Sequence, residues 1–140
     1  MSNAQGWKQQ DFVVSHYNEA DFTPTSERAY LLKRDLGVLK ATNGLAIAHV
    51  VRAAGPCEAD TLPGAHRHHA DFQFFYVLNG WQRMTIEGQG EVTVRRNDSW
   101  LQPPSIEHAV LDYSDDLEVL CISMPGKFET VEASRHEGAE

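Results

Sequence analysis

HRHHADFQFFYVLNG, residues 66–80, sets two histidines one residue apart, then a glutamine, an aromatic run and an Asn-Gly turn. In an extended strand, side chains two apart share a face, so His66 and His68 can point into one cavity. His69 then points away, and it would replace His68 if the register slipped by one residue. Gln73 lies an odd number of residues beyond His68, so an unbroken strand would place it outside. A turn or bulge at Ala70-Asp71 resets the alternation. From Gln73 onward the same parity carries Phe75 and Val77 inward as an apolar wall. About forty residues later PPSIEH, residues 103–108, ends in His108, which a rigid Pro-Pro-Ser turn can aim back at the group. Three imidazoles and one amide oxygen are a donor set for a divalent metal.

The surrounding pattern is one of short strands. Residues 45–53 (LAIAHVVRA) are aliphatic and β-branched and are closed by Gly55-Pro56. Residues 74–78 follow, with Asn79-Gly80 predicted as a tight hairpin turn into 84–86. Glu87-Gly88-Gln89-Gly90 is a second turn. Residues 91–96 alternate and stop at Asn97-Asp98, and 100–101, 109–113 and 117–124 complete the series. Strand signals at roughly 8–12-residue spacing predict an all-β sandwich or barrel. Residues 1–42 read as an N-terminal arm packing on the barrel or on a second subunit. Within it, 25–34 fits a helix capped by Ser26 and stopped by Gly37, or an extended segment. Residues 43–125 form the barrel core, and the polar tail 126–140 is expected to fray or form a short helix.

The spacing His66-x-His68-x4-Gln73-x6-Gly80 resembles the first motif of the cupin superfamily. Pro103-x-Ser105-x-x-His108 is similar to its second. The two motifs and their connecting strands cover about half of the chain. The resemblance implies a double-stranded β-helix (jelly-roll) barrel whose interior holds one metal on His66, His68, Gln73 and His108. Zn, Ni, Fe or Mn would each suit these donors. Two positions depart from the family pattern. Ser105 stands where glycine is usual, which is tolerable if that turn needs no positive φ. Gln73 stands where glutamate is usual, and a neutral amide leaves the cation's charge uncompensated, making it a stronger Lewis acid. Three-His-plus-Gln sites occur among cupins that open or isomerise unsaturated uronates.

These readings point to lyase or isomerase chemistry on a small, sugar-acid-like substrate. The alternatives are a dioxygenase acting on an enol or diketone, and a non-catalytic module that senses a small molecule. His49, Arg52, Phe75, Val77 and Trp100 are candidate pocket residues, and Arg52 or Arg83 would have to grip a substrate carboxylate. His16 and His136 stand apart from the motifs. Phe72, Phe74, Phe75 and Tyr76 are too many aromatics for one core face, which predicts a second buried layer and a homodimer.

Composition sets the outer bounds. The 140 residues carry a net charge of −8, against the basic footprint that nucleic acid requires. No apolar run approaches the roughly 18 residues that span a bilayer, and residues 1–12 lack the apolar core of a secretory signal. Cys57 and Cys121 imply no disulfide framework, so a cytoplasmic protein is expected.

Overall fold

The computed structural model describes residues 9–25 and 28–132. Ser26, His136 and the last residues of the tail, on which some expectations fell, lie outside them. Among the described residues eleven strands make two antiparallel sheets. In chain order they are β1 (Thr23–Pro24), β2 (Leu31–Asp35), β3 (Ile47–Ala53), β4 (His66–His68), β5 (Phe72–Asn79), β6 (Trp81–Ile86), β7 (Gly90–Arg95), β8 (Ser99–Leu101), β9 (His108–Tyr113), β10 (Glu118–Met124) and β11 (Thr130–Glu132). One sheet runs β1-β2-β3-β10-β5-β8 and the other β11-β4-β9-β6-β7. This is the jelly-roll arrangement that the strand spacing and the two motifs predict. Among the described residues no helix is long and apolar enough to cross a membrane.

Alternation decides what faces inward. On β10 Val119, Cys121 and Ser123 are buried while Leu120 and Ile122 are half-buried. The pairing of Cys121 with His49 and Phe75 brings those two onto the same inner face. Val77, Leu117 and Val119 close the core with Met84, Val94 and Tyr113. Fully burying an aliphatic side chain of this size stabilises the fold by roughly 1.5–3 kcal/mol.

Several local expectations are revised. Of the two readings of residues 25–34, the extended one holds from Leu31 onward, because Leu31 to Asp35 pair with β3. Gly37, expected to stop a helix, precedes one: with φ +83° it is the N-cap of a single turn, α1 (Val38–Ala41). Thr23–Pro24 and Leu31–Asp35 of the predicted arm therefore add two strands to the edge of the barrel. Residues 130–132 of the tail are a strand paired with β4, not a helix.

Asn79-Gly80 is not a hairpin. β5 and β6 belong to different sheets, and this turn carries the chain from one to the other. Gly80 has φ +73°, and a Cβ there would lie 2.3 Å from Ser114 Oγ, 2.7 Å from Asp116 Oδ1 and 2.9 Å from Leu117 Cα. Both the dihedral and the space demand glycine. Ser105 also adopts a positive φ, +61°, so the turn before His108 does require the conformation that glycine would supply. The left-handed backbone costs a non-glycine residue about 1–2 kcal/mol. Three contacts hold it: Ser105 N donates to His68 O at 2.9 Å, Arg67 Nη1 donates to Ser105 O at 2.9 Å, and Ser105 Oγ meets His69 Nδ1 at 2.6 Å.

Residues 9–22 cross the outer face of the six-stranded sheet. Arg34, buried there, donates to Ser15 O and Oγ and lies over the Tyr17 ring. Arg52 pairs with Glu19 and Glu118 and sits 3.8 Å above the centre of the Phe22 ring. Phe72, Phe74 and Tyr76 are half-buried on β5.

Gly80→Ala combines the backbone strain with overpacking against Leu117, and should lower unfolding free energy by about 2–4 kcal/mol. Urea denaturation checks this; a midpoint equal to that of the wild type would contradict the role given to the turn.

Candidate metal centre

Two neighbouring strands of one sheet supply the imidazoles. On β4 and β9, His66 and His108 are register partners, which sets their ring centres 4.3 Å apart. His68, two residues along β4, shares their face, with ring centres 4.8 Å from His66 and 4.9 Å from His108. A ligand atom from each of the three lies within 4.8 Å of the others. His69 takes no part: it is exposed and bonds Ser105 instead.

Hydrogen bonds fix which nitrogen each ring presents. His66 Nδ1 lies 2.9 Å from Gly64 O, and His108 Nδ1 lies 3.1 Å from Ile106 O. A carbonyl only accepts, so both Nδ1 atoms carry the proton and both Nε2 atoms carry the lone pair, which Arg28 and Gln102 approach at 3.4 and 3.3 Å. His68 Nδ1 meets Thr130 Oγ1 at 2.8 Å, which leaves its Nε2 for the cavity. Burial, first of all, lowers the pKa of each ring. That of His68 falls to about 3 and that of His108 to about 4, with the neighbouring histidines adding to the effect. His66 is lowered as well, by burial and by the cation of Arg28. The rings are therefore neutral at pH 7, the form that binds a metal.

Gln73 comes from the opposite sheet. The turn at residues 69–71 takes the chain from β4 to β5 and resets the parity as expected, so Gln73 is 5% exposed and faces inward. Its Nε2 donates to Ser123 Oγ at 3.4 Å, and its Oε1 accepts from Gln102 Nε2 at 3.2 Å. The same Gln102 nitrogen lies 3.3 Å from His108 Nε2 and so bridges the Gln73 amide oxygen to that ring. Trp100 Nε1 donates to Gln102 Oε1 at 3.3 Å, and since an indole only donates, the orientation of the Gln102 amide is set.

The donors fit a divalent transition metal. Zinc–nitrogen distances are roughly 2.0–2.1 Å, so the 4.8 Å span closes with side-chain shifts of about an ångström. The donor set is neutral throughout, and its lone pairs are already directed inward.

A cavity of 740 Å³ opens from this group. Of the candidate pocket residues, His49, Phe75 and Trp100 line it, and Phe75 and Trp100 stack with ring centres 4.5 Å apart. His49 Nδ1 is buried without a partner, and burial lowers the pKa of the ring to about 4. Val77 points inward but is core, fully buried and away from the lining. Arg52 is a correction: with His49 and Val51 inside, alternation turns Arg52 outward to its ion pairs. Arg83 is likewise outside, paired with Glu91 at 3.3 Å, because its neighbours Gln82 and Met84 face in. Two residues of the site carried no clear mark in the sequence. Gln102 gave no signal beyond preceding the second motif, and Arg28 lay in a segment with no clear period. Arg28 Nη2 is 3.4 Å from His66 Nε2, while Nη1 donates to Tyr30 Oη at 3.2 Å.

Residues 57–125 match the family model described as a cupin domain. No curated protein matches the chain. Among solved structures it is similar to the polyketide cyclase RemF from Streptomyces resistomycificus, with a TM-score of 0.67, 13% identity, and 86% of this chain and 85% of that chain covered. KdgF from Halomonas sp. gives 0.61, 16%, 81% and 96%. Oxalate decarboxylase from Bacillus subtilis, described for its Mn(II) centres, gives 0.56, 17%, 76% and 28%. At these identities the likeness is one of fold.

The lowered histidine pKa values set a pH dependence for the metal-free protein. Each folded value lies below the ordinary 6.5, so on acidification the unfolded chain takes up protons first. The contribution to stability is whole above about pH 6.5 and is lost as pH falls toward 4. Urea midpoints of EDTA-treated protein should fall across that window, and His49→Phe should flatten part of the slope. A midpoint constant from pH 7 to 4 would contradict the assignment.

Proposed function

We propose that this chain, which carries a cupin domain over residues 57–125 and belongs to the cupin superfamily, holds one divalent transition metal on His66, His68, His108 and the Gln73 amide oxygen. In this reading it is a metal-dependent lyase or isomerase acting on a small oxygenated, sugar-acid-like substrate. What supports it is the grouping of three neutral imidazoles, with Gln73 linked to His108 through Gln102.

Such a cation, when bound, supplies Lewis acidity to stabilise negative charge developing on a substrate oxygen. The neutral donors leave its charge undiminished and give little support to higher oxidation states, which favours non-redox chemistry over a dioxygenase. The residues around it have distinct roles. Phe75 and Trp100 exclude water from one wall. Gln102, held by Trp100, presents its amide N–H groups at the donor set. His49, kept neutral by burial, lines the cavity as an uncharged polar ring.

Homodimerisation belongs to the same proposal. Phe12 is 90% exposed and Leu101 58% exposed, both large apolar side chains that a second copy could cover. Phe12→Ser with Leu101→Ser should then shift light-scattering mass from dimer toward monomer.

Elemental analysis of protein purified without added metal tests the site. One transition metal per chain is expected, lost in His66→Ala and His108→Ala. Protein that holds none, and takes up none of Fe, Mn, Ni or Zn, would remove the proposal. Gln73→Glu should keep the metal while moving the pH–rate profile to higher pH. Oxygen uptake with enolic substrates, in place of turnover of unsaturated uronates, would transfer the protein to the dioxygenases.

A further inference from the structure

The cavity's charges do not balance. Arg28, Lys33 and Lys127 line it, and among the described residues no aspartate or glutamate does. This holds in a chain of net charge −8. Glu132 is the register partner of His66 across β4 and β11 but is not part of the lining. The lining itself is therefore net positive, with Glu132 acting on His66 from outside it, and a cavity where water screens charge poorly favours an anion.

Arg28 is the most tightly placed of the three. Its backbone is held by Thr25: Arg28 N donates to Thr25 Oγ1 at 2.9 Å, and Thr25 Oγ1 donates to Arg28 O at 2.7 Å. Leu31 N also donates to Arg28 O, at 2.9 Å. One end of the guanidinium rests on Tyr30 Oη, whose ring stacks on Tyr113 with centres 5.7 Å apart. The other end reaches the His66 Nε2 lone pair. In the metal reading that lone pair belongs to a divalent cation. Arg28 must then give up its acceptor, and a +2 ion on neutral donors stands beside a guanidinium. An anion would answer both charges at once.

We infer that Arg28 is the substrate-binding residue for a carboxylate, and that the cavity takes an organic anion whose carboxylate bridges the Arg28 fork and the metal position. The inference deepens the function proposed above and rests on it for the cation, though not for the anion site. Arginine is suited to this role because its planar fork pairs with a carboxylate through two parallel hydrogen bonds, which a lysine cannot reproduce. Tyr30 Oη keeps the fork's plane turned toward the histidines. The guanidinium expected from Arg52 or Arg83 is supplied by the N-terminal segment instead.

The test uses the full chain in two forms, loaded with zinc and stripped with EDTA. Each is titrated at constant ionic strength with the sodium salts of glycolate, pyruvate and D-galacturonate, and with sodium chloride, following the thermal unfolding midpoint. At least one carboxylate should stabilise the wild type where chloride does not. Arg28→Gln should weaken that carboxylate by about 10- to 100-fold, the range expected for losing a charged hydrogen-bonded pair. Arg28→Lys should fall between the two. Zinc content of Arg28→Gln should equal the wild type's, since a repelling neighbour of the cation has been removed, and this also shows that the variant folds. Carboxylate stabilisation that survives in Arg28→Gln, or a wild type that answers to none of the three anions, overturns the inference. A wild type that binds no metal overturns the proposed function alone, and the stripped protein then still decides the role of Arg28.

Discussion

One backbone pairing organises the site: His66 opposite His108 on β4 and β9. Residues about forty positions apart meet because antiparallel register leaves each no choice of neighbour. Their side chains share a face, and a one-residue slip would send all of β4 outward together. Each ring is then anchored by a carbonyl two residues before it in its own chain, Gly64 and Ile106. Position and tautomer are thus settled by main-chain geometry, before any ligand arrives. Gln73, Gln102 and Arg28 matter because they converge on a point that this pairing has already defined.

The turns that enter and leave these strands carry strain in the service of that register. Gly80 lets β5 end against Leu117 while β6 begins in the other sheet. Ser105 bears a left-handed backbone so that His108 starts β9 directly after the Pro-Pro turn. Its oxygen and nitrogen are both tied to the β4 side, by Arg67 and by His68 O. The strained turn and the histidine strand therefore form one unit. A substitution at residue 105 would be felt at His68 through the backbone, and at His69 through the lost hydroxyl.

Strand alternation made much of this legible in the sequence. It placed His66 and His68 together, set His69 apart, reset at residues 69–71, and turned Phe75 and Val77 inward. The same rule, applied to β3 and β6, would have excluded Arg52 and Arg83 from the pocket, since His49, Val51, Gln82 and Met84 take the inner positions. Charge and proximity in the sequence outweighed parity there, wrongly. Asn79-Gly80 misled for a different reason. Local turn chemistry reports a tight reversal but not whether the next strand pairs with the last or crosses to another sheet. Arg28 had no such signature. It enters the site because β2 pairs with β3, a long-range contact that the ambiguous period of residues 25–34 did not reveal.

The electrostatics of the chain work on two scales. Its net charge of −8 is spread over a solvated surface, where ions screen each carboxylate within about 8 Å at physiological salt. Inside the barrel the nearby groups dominate: neutral imidazoles, neutral amides and three cations. Far from the protein an organic anion is therefore repelled, and inside the cavity it is drawn in. Screening weakens the outer repulsion faster than the buried attraction, so added salt should assist entry more than it loosens the bound state. The histidines reinforce this division. A carboxylate in the lining would have neutralised Arg28, raised the imidazole pKa values and quenched the cation. With Gln73 in place of an acid the lining itself stays positive, and that charge is left for whatever enters to answer.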